Sequence, residues 1–368
     1  MKLVKDILKN IGVRPPGSKN EQNTAKLIQK EFSKHCNEVH VENFYCTPGS
    51  HYFWIHVSNI LFVFGLITYF TNPFITSVFI GLSYLNFFVH RIFNIDLYRF
   101  MFEKKISQNI IGKIPSKKKT KKTIIFTAHH DSGKISKLMN WKHGIYLIYL
   151  DILFACISII ILAINFFINI NSLFLFSVLL IKFIFAIIVT KTLYTKKFSL
   201  GANDNLTSVQ LLVNISKKIK QQENTEIRFI SFGAEELGCL GSSNYVNKHL
   251  KELKNTIVIN FESIASGNYF GFMDSERIFT KYNKKLNLNL KKLLNKNKGK
   301  LFKKTVGNLG ISDAGPFAKH KIPAATIIAI NKEGQIPNWH SKHDTFENIN
   351  EYNLKILEKT VVEFINNY

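Results

Sequence analysis

The segment I-I-F-T-A-H-H-D-S, residues 124–132, joins a short apolar run to two histidines and an aspartate. Its first part, Ile124–Ala128, is rich in β-branched and apolar residues and is typical of a buried strand. His129 and Asp131 follow as an H-x-D pair, in which the carboxylate can accept a hydrogen bond from the imidazole and orient the ring. His130, between them, is predicted to point the other way and to be structural. On its own this pair is more typical of an ordinary core than of a metal site.

Four further segments place metal-ligand types of side chain at or just past the ends of apolar, strand-like runs. Side chains at the carboxyl ends of parallel strands meet at one edge of a sheet. Two imidazoles and three or four carboxylates gathered there are the ligand set that a pair of zinc ions needs. The four segments read G-A-N-D-N (201–205), G-A-E-E-L-G (233–238), I-N-F-E-S (259–263) and W-H-S-K-H-D-T (339–345).

Strands and helices alternate along the chain outside four long apolar segments. This alternation predicts an α/β fold with a mixed, mostly parallel sheet sandwiched between helices. Sites in such sheets form beyond the carboxyl ends of the strands, where the five segments fall. Strands are predicted at 38–45, 107–114, 124–128, 227–232, 256–261 and 324–330, and helices at 18–33, 206–218 and 353–365.

The acidic residues of the second and third segments suggest separate roles. Asp204 opens a helix, and one carboxylate with two oxygens can bridge two metals about 3.5–4 Å apart. Glu235 and Glu236 end a strand, and burying both requires a nearby cation. One of them can hold metal while the other moves a proton. Taken singly, an N-cap aspartate and a solvated acidic turn are the more ordinary interpretations.

Glu262 and His340 complete the set. Glu262 ends an apolar strand, where a carboxylate is hard to explain without a cation. His340 begins the pattern H-x-x-x-D-T, which suggests Asp344 as its orienting partner. Each residue alone could equally be a satisfied buried polar group. The joint occurrence of all five segments at strand ends therefore favours a dinuclear metal centre.

The four apolar segments form two pairs, each joined by a short turn without charge. Each segment has about 19 residues or more, which is enough to cross a hydrocarbon layer of ~30 Å. We therefore predict two transmembrane helical hairpins and four membrane spans. The segments are residues 52–70, 75–93, 145–169 and 173–194.

The hairpins divide the chain into a polar domain, which carries the five segments, and two insertions. The insertions are predicted at 51–95 and 143–194, which leaves residues 1–50, 96–142 and 195–368 for the polar domain. The predicted spans make this an integral membrane protein, and because basic residues flank them, the positive-inside rule predicts that the polar domain is cytoplasmic.

Asp151 and Lys182 lie inside the apolar block, where charge is costly and hints at function. Counted from the turn, they differ in depth by roughly 13 Å at 1.5 Å per residue. We therefore predict no direct pair, with Asp151 near the interface and Lys182 snorkelling or using another partner.

Composition excludes several classes of site. The net charge is +24, from 49 Lys+Arg against 25 Asp+Glu. The basic residues nevertheless form no stripe of the kind that nucleic-acid-binding proteins show, so no nucleic-acid partner is predicted. Cys36, Cys46, Cys156 and Cys239 include no C-x-x-C pair and indicate neither a disulfide framework nor a cysteine zinc site. Any zinc must be held by histidine and carboxylate.

In this order the segments resemble the co-catalytic zinc aminopeptidase family, which includes bacterial leucyl aminopeptidases, glutamate carboxypeptidase II and the glutaminyl cyclases. Further matches are R-P-P-G-S (14–18), E-E-L-G-C-L-G-S (235–242) and I-S-D-A-G-P-F (311–317), so the resemblance covers essentially all of the chain outside the apolar pairs. The resemblance implies two zinc ions and a cis peptide after Asp204. It also implies that one ion is held by His129, Asp204 and Glu262, and the other by Asp204, Glu236 and His340. In the same resemblance Glu235 is the general base, and Asp131 orients His129.

Two positions depart from the family pattern. Glu262 stands where the family often has Asp, and Leu206-Thr207-Ser208 stand where it favours Ala-Ser-Gly. The whole sequence predicts a membrane-bound zinc aminopeptidase that acts on peptides and contacts the lipid bilayer. Two alternatives stay open: a glutaminyl-cyclase-like transferase with one zinc, and a non-catalytic receptor or scaffold on the same fold. Loss of metal-ligating residues would favour the last alternative, but this sequence has a suitable residue at every ligand position that the resemblance implies.

Overall fold

The computed structural model of the protein describes residues 1–93, 95–138, 144–168, 171–193, 195–276, 280–304, 306 and 310–367. The chain divides into two units. The α/β unit comprises Met1–Cys46, Lys104–Gly133 and Phe198–Tyr368, and the helical unit comprises Thr47–Glu103 and Lys134–Lys197. Residues 143 and 194, the predicted ends of the second insertion, lie outside the described residues.

Each unit has its own set of secondary-structure elements. The strands, all in the α/β unit, are β1 (Glu38–Cys46), β2 (Lys105–Ile114), β3 (Lys122–His129), β4 (Thr225–Phe232), β5 (Thr256–Glu262), β6 (Tyr269–Phe272), β7 (Ser275–Glu276), β8 (Thr280–Lys281) and β9 (Ala324–Ile330). The helices are α1 (Lys2–Asn10), α2 (Lys19–Phe32), α3 (Phe53–Thr68), α4 (Pro73–Phe93), α5 (Gly144–Phe167), α6 (Ser172–Leu193), α7 (Thr207–Ser216), α8 (Leu240–His249), α9 (Lys284–Lys296), α10 (Gly315–Lys319) and α11 (Glu351–Asn367).

A seven-stranded mixed sheet organises the α/β unit, in the order β1-β2-β4-β3-β5-β9-β6. The four central strands β4, β3, β5 and β9 are parallel, whereas β1, β2 and β6 pair antiparallel at the two sides. The predicted α/β fold with a mixed, mostly parallel sheet is therefore confirmed. Because β4, β3 and β5 are neighbours and parallel, the turns that follow them leave the sheet at the same edge.

Apolar side chains explain why the central strands are buried. Ile124, Ile125 and Phe126 of β3 are fully buried. The Phe126 ring lies between Phe229 of β4 and Phe261 of β5, with ring centroids 5.8 and 6.2 Å apart. This aromatic row fixes the register of three adjacent strands and hence the relative height of their carboxyl ends.

The helical unit consists mainly of α3 to α6. Among the described residues, three helices are long and apolar enough to cross a membrane, at residues 73–90, 146–165 and 172–193. Helix α3, which covers most of the predicted span 52–70, has only 16 residues. It pairs with α4 through polar groups, because Ser83 Oγ donates to the Ser58 carbonyl oxygen at 2.8 Å and Asn86 Nδ2 donates to the Trp54 carbonyl oxygen at 2.8 Å.

The prediction that Asp151 and Lys182 do not pair is wrong. Lys182 Nζ donates to Asp151 Oδ1 at 2.8 Å, and the two residues are only 7% and 8% exposed. The count of depth from the turn treated the helices as straight parallel rods and ignored side-chain length. The long lysine side chain can carry its ammonium group well away from its own backbone position, which helps to close the difference in depth.

Candidate metal centre

The sheet brings the predicted ligands together at one edge. His129 is the last residue of β3 and Glu262 is the last residue of β5. Glu235 and Glu236 lie in the turn that follows β4, which is the neighbour of β3 on the side away from β5. Asp204 lies in the turn before α7, and its peptide bond to Asn205 is cis, as the resemblance implied.

Asp204 lies between the two imidazoles. Its Oδ1 is 3.2 Å from Nε2 of His129, and its Oδ2 is 3.3 Å from Nε2 of His340. The residues come from three segments that are far apart in sequence, yet one buried carboxylate faces both rings. This is the arrangement that a bridging carboxylate requires.

Each imidazole also faces a second carboxylate. Oε1 of Glu262 is 3.1 Å from Nε2 of His129, and Oε2 of Glu236 is 3.3 Å from Nε2 of His340. Two triads have potential ligand atoms that all lie within 4.8 Å of one another. They are His129, Asp204 and Glu262, and Asp204, Glu236 and His340. The geometry thus provides two ligand groups that share Asp204. His129, Glu235 and Glu236 form a further group of possible ligands among the described residues.

Several oxygens at this edge have unused hydrogen-bonding capacity. Among the residues that the structure describes, Oδ2 of Asp204, Oε1 of Glu236 and Oε2 of Glu262 are buried and have no hydrogen-bond partner. Buried carboxylate oxygens of this kind are expensive unless a cation is present. Imidazole nitrogens with carboxylate oxygens are also a ligand set that zinc prefers, so these residues fit the metal that the resemblance implies.

Burial and mutual charge shift the pKa values of the two histidine–carboxylate groups. Burial raises the pKa of Glu262 to about 8, even though His129 opposes the shift. Burial disfavours the charged His129 ring, but Glu262 and Glu235 outweigh this and raise its pKa well above the usual range. Burial likewise opposes the charged form of Asp204, but its contacts with His129 and His340 lower its pKa below the usual range.

Glu235 occupies a position different from the other acids. Its Oε2 is 3.8 Å from Nε2 of His129, the longest of the carboxylate distances to that atom. Its Oε1 accepts a hydrogen bond from Sγ of Cys239 at 3.2 Å. Burial, together with nearby carboxylates such as Glu262 and Asp313, raises the pKa of Glu235 well above its usual range although His129 acts against the shift. Such a side chain can take up and hold a proton.

Asp131 connects β3 to the acidic turn. Its Oδ1 is 3.3 Å from Nδ1 of His129, as the H-x-D pattern predicts. The same carboxylate accepts hydrogen bonds from the backbone N–H groups of Glu235 at 3.1 Å and Glu236 at 3.0 Å. Asp131 therefore positions three of the site residues. His130 turns away and contacts Ser231 Oγ through Nδ1 at 3.0 Å.

Asp344 does not orient His340, which corrects the interpretation of the H-x-x-x-D-T pattern. Its two oxygens accept hydrogen bonds from the backbone N–H groups of Asn203 at 2.6 Å and Asp204 at 3.1 Å. Among the described residues, its hydrogen bonds go to this turn and not to the ring. Asp344 thus positions the backbone of Asp204.

Three turns of the site contain a non-glycine residue with left-handed backbone. Ala234 precedes Glu235 with φ 50°, Ser263 follows Glu262 with φ 47°, and His340 itself has φ 51°. This conformation costs an L-residue roughly 1–2 kcal/mol. Strain that recurs on several turns of one site is typical of functional geometry that the surrounding fold enforces.

Two buried ionisable side chains behind the site were not predicted. Arg14 is fully buried, and its guanidinium donates hydrogen bonds to the carbonyl oxygens of His130 at 2.8 Å, Leu200 at 2.7 Å and Gly201 at 3.1 Å. Glu21 accepts hydrogen bonds from Ala234 N at 2.9 Å. Arg14 opens the R-P-P-G-S segment, but no spacing rule connects that segment to turns more than 100 residues away.

Comparison with known proteins gives a match to the C-terminal part of the chain. The sequence profile of Peptidase family M28 matches residues 188–365, which include all of the proposed acidic ligands and His340 but not His129. Aminopeptidase YwaD of Bacillus subtilis (strain 168) is 32% identical over 170 residues, which are 43% of this chain and 35% of that protein. The chain therefore spans about a third of the length of this relative.

Solved structures have the same fold. A zinc aminopeptidase from Bacillus subtilis superposes with a TM-score of 0.58 at 17% identity, covering 98% of this chain and 93% of that chain. A Zn-dependent exopeptidase from Parabacteroides distasonis gives 0.59 at 16% identity, covering 100% and 96%. A glutaminyl cyclase from Bacteroides thetaiotaomicron gives 0.60 at 18% identity, also covering 100% and 96%. The predicted resemblance to the zinc aminopeptidases is confirmed, and the matches support a zinc metallopeptidase.

Proposed function

We propose, from this fold and the match to Peptidase family M28, that the protein is a membrane-bound, zinc-dependent aminopeptidase that releases N-terminal residues from peptides. One observation carries the proposal: the two oxygens of Asp204 lie 3.2 and 3.3 Å from Nε2 of His129 and His340. A carboxylate that faces two imidazoles from separate turns is suited to bridge two ions.

Two zinc ions would be held by the residues around Asp204. His129, Asp204 and Glu262 would hold one, and Asp204, Glu236 and His340 would hold the other. When bound, zinc supplies a Lewis acid that lowers the pKa of water toward 7 and polarises a carbonyl group. Asp131 would keep His129 in place through Nδ1, and Asp344 would keep the Asp204 backbone in place.

Glu235 would be the general base. Its Oε1 is occupied by the Cys239 thiol, so Oε2 is the atom available to a substrate. This oxygen would accept a proton from the water that forms the new bond to the peptide carbonyl carbon. Glu235 would then deliver that proton to the amine nitrogen as the carbon–nitrogen bond breaks.

The helical unit would lie in a lipid bilayer as two hairpins. Large apolar side chains are exposed on its helices, among them Ile67 at 67%, Phe74 at 76% and Ile181 at 61%, and such surfaces are typical of contact with lipid. Helix α3 extends about 24 Å at 1.5 Å per residue, and local thinning of the bilayer accommodates a short span at modest cost. The basic flanks favour a cytoplasmic catalytic unit.

Two other functions compete with this proposal. A glutaminyl-cyclase-like transferase would use one zinc, and similar folds include the glutaminyl cyclase from Bacteroides thetaiotaomicron. A non-catalytic receptor on this fold would tolerate the loss of its metal-ligating residues. The presence of both ligand triads, which share Asp204, favours the two-zinc hydrolase over each of them.

The test measures zinc content and hydrolysis on the full chain in lipid nanodiscs. We expect two zinc ions per chain and release of the first residue from free, but not N-acetylated, peptides. Glu235→Gln should keep both ions and lower kcat by at least ~100-fold, whereas the matched exposed variant Glu351→Gln should match wild type. One zinc with cyclisation of N-terminal glutamine would support the transferase, and two ions without turnover of any peptide would refute the aminopeptidase.

A further inference from the structure

The helical unit contains a cavity of about 80 Å³ beside its buried ion pair. All four long helices of this unit contribute to its wall, which is apolar in part. The polar lining residues include Ser58, Asn59, Asp151, Lys182 and Thr190. A charged pair that faces a cavity inside an apolar helix bundle is by default a sign of a binding site.

The ion pair uses only part of its hydrogen-bonding capacity. Lys182 has three N–H donors, and among the described residues only Asp151 Oδ1 accepts from it. Oδ2 of Asp151 has no donor among the same residues. A buried salt bridge is favourable only when its remaining donors and acceptors are also satisfied. The pair is therefore incomplete without a further group in the cavity.

Two uncharged side chains that line the cavity also have polar groups without hydrogen-bond partners. The Asn59 amide and the Thr190 hydroxyl both line the cavity, and within the described ranges neither makes a hydrogen bond. Inside a helix bundle with an apolar exterior, such groups cost several kcal/mol in hydrocarbon surroundings unless they find partners. They add an amide and a hydroxyl to the charged groups that line the cavity.

We propose that this cavity binds a small zwitterion, an α-amino acid of the size of glycine or alanine. Its ammonium group would donate to Oδ2 of Asp151, and its carboxylate would accept from Lys182 Nζ and the Asn59 amide. The ion pair and the ligand are each neutral overall, so binding introduces no net charge into an apolar bundle. At roughly 10–15 Å³ of such space for each water, a cavity of about 80 Å³ has room for several waters, which suits a ligand as small as glycine or alanine.

The proposal rests on the helical unit alone and does not require the peptidase activity. Free amino acids are nevertheless the class of product that an aminopeptidase releases. A site for them on the same chain would let the helical unit sense or pass on such a product.

The experiment measures binding of radiolabelled glycine and alanine to the full chain in nanodiscs, with and without a zinc chelator. We expect saturable binding that survives chelation, because the cavity contains none of the proposed metal ligands. Glycinamide, which lacks the carboxylate, and N-acetylglycine, which lacks the ammonium, should fail to compete.

Variants that keep the bundle neutral separate binding from folding. Asp151→Asn combined with Lys182→Met removes both charges without leaving one unpaired, and it should weaken binding at least tenfold while thermal unfolding changes little. Lys191→Met, an exposed position on the same helix α6, is the matched control and should bind as wild type.

The outcomes decide between the two proposals. Wild-type affinity in the double neutral variant, binding that disappears with chelator, or no saturable binding would overturn the amino-acid site and leave water as the occupant. Chelator-resistant binding in a chain that hydrolyses no peptide would keep this site and reject the proposed aminopeptidase.

Discussion

Arg14 offers the sharpest test of how the metal centre is held together. Its guanidinium makes four hydrogen bonds, to the carbonyl oxygens of Gly12, His130, Leu200 and Gly201, at 2.7 to 3.1 Å. The last three lie in the turns that precede or follow proposed ligands. Burial lowers the pKa of Arg14 to about 10, so the side chain stays charged at neutral pH.

We expect Arg14→Met to destabilise the α/β unit by roughly 3–5 kcal/mol, because each buried carbonyl left without a donor costs about 1 kcal/mol or more. At 2–4 °C per kcal/mol for a domain of 150–250 residues, the unfolding temperature should fall by roughly 10 °C. Arg14→Lys should recover only part of the loss, since an ammonium lacks the planar fork that reaches several carbonyls at once.

The assay is thermal unfolding in detergent micelles, followed by zinc titration against a chromophoric competitor. Zinc affinity should fall in Arg14→Met because the turns bearing His129 and Asp204 lose their common anchor. Arg99→Met, at an exposed position, serves as the control and should leave both readouts unchanged. A loss below 1 kcal/mol together with normal zinc affinity would refute the role given to Arg14.

Three further predictions concern the metal centre. Asp131→Ala should weaken zinc binding by about 10–100-fold, the usual effect of removing a partner behind a metal-bound histidine, and unchanged affinity in competition titrations would contradict the contact with His129. Gly133→Ala should lower the zinc content, measured by elemental analysis, from two ions toward one. The reason is that a Cβ at residue 133 would lie 2.6 Å from Oε2 of Glu236. If two ions were retained, Glu236 would be able to move aside. Chelation should lower the unfolding temperature and added zinc should restore it, since a ligand at 1,000 times its Kd stabilises the folded protein by about 4 kcal/mol. An unfolding temperature that does not change with zinc would indicate that the buried acids need no cation.

The central strands could be predicted from the sequence because each is buried on both faces. A strand of this kind is a continuous apolar run, such as I-V-I-N-F in β5 or A-A-T-I-I-A-I in β9. Strand β6, Tyr269–Phe272, was missed because four residues provide no usable period, and its place is set by pairing with β9. Helix α9 was missed although Leu286, Leu290 and Leu294 recur at helical spacing on its buried face.

The convergence of the candidate ligands could be predicted because their residue types and order resemble a known pattern, and because strand ends converge by topology. Their supporting contacts could not be predicted. Asp344 accepts from the backbone N–H groups of Asn203 and Asp204, which are 141 and 140 positions away in the chain. Backbone donors leave no signature in side-chain spacing. Lys182 and Asp151 likewise pair although a count of residues from the turn places them at different depths.

The position of β3 in the sheet has a consequence for biosynthesis. This central strand ends at His129, but its two neighbours, β4 and β5, are both encoded after the second pair of apolar helices. A ribosome adding 5–20 residues each second needs on the order of 7–27 s to travel from His129 to Glu262, where β5 ends. Throughout that interval the nascent chain carries a hydrophobic strand without both of its neighbours. The topology of this sheet therefore leaves its central strand open to contact with chaperones during translation.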